Sequence, residues 1–162
     1  MNEQQLNSLL ARVPNYQGSF AVNELNQIKL KYPALFVVNL DERDDEGTHW
    51  IGVAVYLNTV YVCDTLGGSL PDSKTPAKWV HFLKLITDHR KLVVTKRLST
   101  KGLCGLFCVT FIKEMSRTNN FHDFLLLFSS DLSTNDTVVQ FLNKSSISTP
   151  VYLFFAENGA KT

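Results

Sequence analysis

The chain has no apolar run approaching the roughly 18–20 residues that a membrane-spanning helix needs. Its opening residues, MNEQQLNSLLARVPNYQ, carry neither the basic stretch nor the apolar core of a secretory leader. An excess of one charge is missing too. A formal net charge of +1 over 162 residues lends no electrostatic support to nucleic acid as a partner. Cysteine is scarce: three thiols are an odd number, and a chain of this length does not depend on disulfides. Repeats, low-complexity tracts and Gly/Ser linkers are absent. The expectation is therefore one domain over 1–162 in a reducing, intracellular setting, with no membrane partner and a core that needs no metal.

Coarse patterning fills in that domain. Asn2 can cap a helix over 2–12 with Leu6, Leu9 and Leu10 on one face, closed by Pro14. A short helical stretch over 23–30 stops before Pro33. Strand-like runs cover 34–40, 49–57 and 59–63, the last two close enough in sequence to form an antiparallel hairpin at Asn58. The acidic segment 41–47 reads as a solvated loop. Thr75-Pro76 opens a helix to about 88, whose Trp79, Phe82, Leu83 and Ile86 make a core stripe. A strand over 92–98, helices over 104–115, 121–128 and 135–143, and a last strand over 151–155 complete the order. The implied fold class is α+β: a central, mostly antiparallel sheet with flanking helices.

Three side chains stand out by position as well as type. His49 opens a strand and Asp64 ends its hairpin partner, so both lie near one edge of the sheet. A carboxylate there would fix the imidazole tautomer and stabilise its cation. Cys104 begins a helix after Gly102 and before Gly105. A helix N-terminus lowers a thiol pKa and offers N–H groups to an oxyanion, and a small next residue leaves room for a substrate backbone. Cys, His and acid together make coherent nucleophilic chemistry. Each residue also has a structural explanation: Asp64 as a turn residue before Thr65-Leu66-Gly67-Gly68, His49 as a strand residue beside Trp50, and Cys104 as packing in an apolar helix.

The segments Gly47-Thr48-His49-Trp50, Val62-Cys63-Asp64-Thr65-Leu66-Gly67 and Leu103-Cys104-Gly105-Leu106-Phe107-Cys108, in this order, resemble the adenovirus maturation proteases (adenains). Those belong with the ubiquitin-like-protein (SUMO-type) proteases, and the match runs from about Phe36 to Phe111. The resemblance implies a cysteine protease fold with the nucleophilic helix packed on the sheet. Its roles would be Cys104 as nucleophile, His49 as general base and Asp64 as partner of the base. Adenains carry Glu at the acid position and SUMO-type enzymes usually Asp. An activating peptide or nucleic acid is implied as well, although the net charge gives the DNA part no independent support. The implied substrate is a protein with small residues near the cut, bound beside Trp50 and Gly105. A viral enzyme of this kind would work in the virion or host nucleus.

One departure stands out. These families place a Gln six or seven residues before the nucleophile as an oxyanion donor, and here those positions hold Leu98 and Arg97. Arg97, Ser99 and Thr100 are the side-chain candidates to replace it, with the Cys104 backbone N–H as the remaining donor. Losing one such donor costs about 100- to 1,000-fold in rate. Three functions follow: an endopeptidase that matures viral precursors, a deconjugating protease for ubiquitin or a ubiquitin-like protein, and an inactive interaction module that kept the fold. Cys63 and Cys108 read as buried packing. A zinc site from Cys63, Cys104, Cys108 and His49 would lack any CxxC spacing, so no metal is expected.

Overall fold

The structure, a computed structural model, describes residues 1–45, 49–67 and 75–144. Helix α1 (Glu3–Leu10) starts in a reciprocal cap: Asn2 Oδ1 accepts the Gln5 N–H at 2.9 Å, and Gln5 Oε1 accepts the Asn2 N–H at 3.0 Å. Leu6 and Leu10 are fully buried. Leu9, expected on the same face, is 40% exposed. Strand β1 (Tyr16–Ala21) was not anticipated, because its sequence YQGSFA shows neither a β-branched run nor clean alternation. The helical stretch expected over 23–30 is a shorter 3-10 helix, Val22–Gln27.

Strands β2 (Ala34–Asn39), β3 (Trp50–Val55) and β4 (Thr59–Cys63) form the meander that the sequence suggested. The Tyr56 N–H bonds to the Thr59 carbonyl at 2.9 Å and closes the hairpin around Leu57-Asn58. After α2 (Ala77–Ile86) comes β5 (Lys91–Val94), shorter than the expected 92–98. Helix α2 begins after Pro76, which occupies the cap itself with no side-chain bond. Helices α3 (Cys104–Thr118), α4 (Phe121–Leu125) and α5 (Leu132–Lys144) follow. The strand expected over 151–155 lies outside the described residues.

The five strands line up in chain order, β1-β2-β3-β4-β5. The pairs β2–β3 and β3–β4 are antiparallel, whereas β1–β2 and β4–β5 are parallel. The sheet is thus antiparallel at its centre and parallel at both edges. The edge strands join through the 3-10 helix and α2, and a helical crossover is what a parallel neighbour requires.

All six residues of both β2 and β3 are buried, so the sheet is covered on both faces. Leu35 and Val37 pack with Leu6, Leu10, Phe107 and Phe111 on one side. Phe36, Val38 and Ile51 pack with Trp79, Phe82, Leu83 and Ile86 on the other, the α2 stripe read from sequence. The result is a three-layer α+β arrangement with α3 against the middle of the sheet. Among the described residues no helix is long and apolar enough to cross a membrane.

Candidate active site

The hairpin register decides whether His49 and Asp64 can meet. Gly52 pairs with Cys63, so the residue that follows β4, Asp64, leaves the sheet beside the start of β3, where His49 precedes Trp50. His49 Nε2 lies 2.8 Å from Asp64 Oδ1. Both are largely shielded, with side chains 13% and 8% exposed. Asp64 is itself held: its N–H donates to Thr95 Oγ1 at 2.9 Å, the Thr95 hydroxyl donates to its carbonyl at 2.8 Å, and Oδ1 accepts the Leu66 N–H at 3.0 Å. Asp64 therefore serves as a turn residue and as the partner of His49 at once.

Helix α3 delivers the thiol. Gly52 on β3 faces Phe111 of α3, and a Cβ on Gly52 would stand 2.7 Å from the Phe111 ring. The missing side chain lets the helix sit close to the strand. Cys104, the first residue of α3, thereby reaches the start of β3, where the Trp50 N–H donates to its Sγ at 3.5 Å. The His49 ring is also coupled to the Cys104 thiol: each stabilises the charged form of the other. Because Nε2 is taken by Asp64, Nδ1 is the ring nitrogen left for sulfur.

Electrostatics separate the three free thiols. Burial pushes Cys63 and Cys108 well above the ordinary thiol range. Burial acts on Cys104 in the same direction, but bonds from His49 and from the Trp50 and Gly105 N–H groups outweigh it, and its pKa falls. His49 moves the opposite way. Burial opposes its cation, yet the bonds to Asp64 and Cys104 raise its pKa from 6.5 to about 9. A lowered thiol beside a raised imidazole is the signature of a thiolate–imidazolium pair. Among the described residues no group of three or more His, Cys, Asp or Glu side chains is placed to hold a metal ion.

Trp50 and Gly105 border the thiol. They line a cavity of ≈ 330 Å³ together with Met1, Gly102, Leu103, Cys104 and Leu106. The Trp50 indole N–H donates to the Met1 carbonyl at 3.3 Å, and the Met1 side chain lies over Gly105, with Sδ 3.0 Å from where a Cβ would stand. The three proposed oxyanion side chains are engaged elsewhere. Arg97 Nε donates to the Ser99 carbonyl at 3.2 Å. The Ser99 and Thr100 hydroxyls both bond to the Asp136 carboxylate. Leu98 is 6% exposed and belongs to the core.

Sequence reading missed Met1, Thr95, Asn135 and Asp136. Of these, Asn135 had a signal. Asn135, Val139 and Leu142 fall at helical spacing on the inward stripe of α5, and a polar residue on such a stripe needs a partner.

No family model matches the sequence, and no curated protein does. Solved structures resemble the fold. The central domain of the uncharacterized Lpg1148 protein from Legionella pneumophila is 10% identical with a TM-score of 0.50, over 89% of this chain and 94% of that one. AvrA, solved with IP6 and CoA, is 16% identical with a TM-score of 0.47, over 82% of this chain. HopZ1a in complex with IP6 and CoA is 13% identical with a TM-score of 0.44, over 90% of this chain. The alignments span 53% of the length of each of these last two proteins. At such identities the likeness concerns the architecture of the chain and leaves its chemistry to its own residues.

Proposed function

We propose that the protein is a cysteine endopeptidase in which Cys104 attacks, His49 carries the proton and Asp64 holds His49. The observation that carries this reading is the continuous chain from Asp64 through His49 to a thiol whose pKa is lowered, while the other two thiols are raised. The reacting pair is a thiolate beside an imidazolium, the state that the lowered thiol and the raised imidazole favour. Sulfur adds to a carbonyl carbon, and the charge passes to the carbonyl oxygen beside the first turn of α3, where N–H groups lack intrahelical partners. His49 then gives its proton to the leaving amine, and a thioester remains on Cys104. His49, now neutral, takes a proton from water as that water attacks the thioester. The acid is released and the pair restored.

The substrate in this reading is a protein precursor with small residues at the cut, as in viral maturation, because Trp50, Met1 and Gly105 crowd the space beside the thiol. The three free thiols suit a reducing, intracellular compartment.

The test is titration with iodoacetamide and a peptide aldehyde, beside Cys104→Ala, followed by turnover of short peptides with Gly or Ala at the cut, ubiquitin-like reporters and acetyl-CoA with an amine acceptor. Stoichiometric labelling at Cys104 with peptide cleavage is the expected result. Cleavage confined to ubiquitin-like reporters would reassign the substrate, and acyl transfer without hydrolysis would replace the peptidase reading. Labelling without turnover of any of these would make the fold an inactive interaction module.

A further inference from the structure

The loop that leads into Cys104 is gripped from an element remote in sequence. Asp136, in the second turn of α5, is 3% exposed, and its carboxylate receives the Ser99 hydroxyl, the Thr100 hydroxyl and the Thr100 N–H, the last at 3.2 Å. The neighbouring Asn135 is fully buried. Its Nδ2 donates to the Leu98 carbonyl at 3.2 Å and to the Ser129 carbonyl at 3.0 Å, while its Oδ1 accepts the Ser129 N–H at 2.8 Å. Two consecutive side chains of α5 thus hold Leu98, Ser99 and Thr100. From the other side, the Leu98 N–H bonds to the Thr65 carbonyl at 3.0 Å, and Gly67 presses on the Arg97 backbone. The same segment is therefore tied both to the turn that carries Asp64 and to α5. The Lys101 carbonyl then accepts the Leu103 N–H at 2.8 Å, one residue before the thiol.

A buried carboxylate is costly unless its bonds are complete. Here both oxygens are used, and both serve the loop. Core packing alone does not need a charge at this position, since an apolar residue would fill the space more cheaply. What the charge supplies is direction: short, charge-assisted bonds fix where hydroxyl and N–H donors sit more narrowly than apolar contact does.

We propose that Asp136, seconded by Asn135, is a positioning residue of the active site that clamps residues 98–101 so that the first N–H groups of α3 face the substrate oxyanion. The proposal rests on the cysteine-peptidase reading above. It also accounts for a site without the Gln donor, because a loop held this firmly can present backbone donors in place of a side chain. Asp136 itself touches no reacting atom.

Two reactions of Cys104 separate positioning from mere folding. Alkylation by iodoacetamide displaces iodide and builds no oxyanion, whereas acylation by p-nitrophenyl acetate does. In Asp136→Asn and in Ser99→Ala/Thr100→Val, alkylation at pH 7 should stay within about threefold of wild type while the acylation burst falls about 10- to 100-fold, the range of a partly misplaced oxyanion donor. Combining the two changes should cost little more than either alone, because both break one clamp. Asp136→Glu should recover part of the loss. Acylation within about threefold of wild type in a folded variant, or equal falls in alkylation and acylation, would overturn the proposal. If Asp136→Asn does not fold, the Ser99→Ala/Thr100→Val pair, which leaves the carboxylate in place, decides on the same criteria. A wild type that alkylates but never acylates would sink the peptidase reading itself, and this proposal with it.

Discussion

Replacing Asp64 by Asn removes the charge that holds His49 protonated and leaves the shape of the turn nearly unchanged, since an amide oxygen can still accept the Leu66 N–H. The pKa of His49 stands at about 9 against an ordinary 6.5, and its bonds to Asp64 and Cys104 raise it against the opposing effect of burial. At pH 8 an imidazole with that raised pKa is about 90% protonated, and one returned to 6.5 about 3%, so the ion pair falls about 30-fold. The Cys104 thiolate still favours the imidazolium in this variant, so 30-fold is the fall expected if Asp64 carries the whole of the rise. The sign follows directly. Wild-type turnover should rise with pH as Cys104 ionises below the usual thiol range, then fall near 9 as His49 loses its proton. In Asp64→Asn the alkaline limb moves down by more than one pH unit, and the window narrows from both sides as the Cys104 pKa climbs back. The assay is the pH profile of kcat/KM for a short peptide, with iodoacetamide alkylation at pH 6 as an independent measure of thiolate. Asp64→Glu should keep more activity than Asp64→Asn. An unchanged alkaline limb together with an unchanged kcat in a folded Asp64→Asn would refute the assignment.

Cys104→Ala should abolish cleavage and retain the fold, whereas Cys108→Ala, one turn further into the core, should stay active and lose roughly 1 kcal/mol to the small cavity; equal loss of activity in both folded variants would remove the distinction between them. Gly67→Ala should destabilise by about 1–3 kcal/mol, because its φ of 69° disfavours a side chain and a Cβ would stand 2.4 Å from the Arg97 nitrogen. Thermal melts of that variant that match wild type would show the turn to be more yielding than its geometry suggests.

The central strands and the α2 stripe were legible because burial leaves a strong mark: β2 is apolar up to its last residue, Asn39, β3 has no polar side chain, and Trp79, Phe82, Leu83 and Ile86 keep helical spacing. Strand β1 was not, since YQGSFA sits at an edge and is stabilised by pairing with β2 more than by its own side chains. His49, Asp64 and Cys104 were individually conspicuous, but their meeting depended on a register that hairpin length alone left open. The bonds of the oxyanion candidates were not legible for a different reason. Ser99 and Thr100 are good donors near the right place in sequence, and nothing local reveals that Asp136, more than thirty residues on, takes both hydroxyls.

The candidate site depends on three separate constraints, each set by a different kind of interaction. Sheet register brings His49 to Asp64, the bare Cα of Gly52 sets how closely α3 approaches, and buried bonds from α5 fix the loop before Cys104. The first two lie within the sheet and the helix on it, where many buried contacts back each other up. The third depends on two polar side chains, and polar bonds fail abruptly when one partner is lost. If the proposed peptidase and clamp hold, the thiolate–imidazolium pair should survive a loosening of the oxyanion site, and reactivity towards alkylating agents should separate from turnover of an amide.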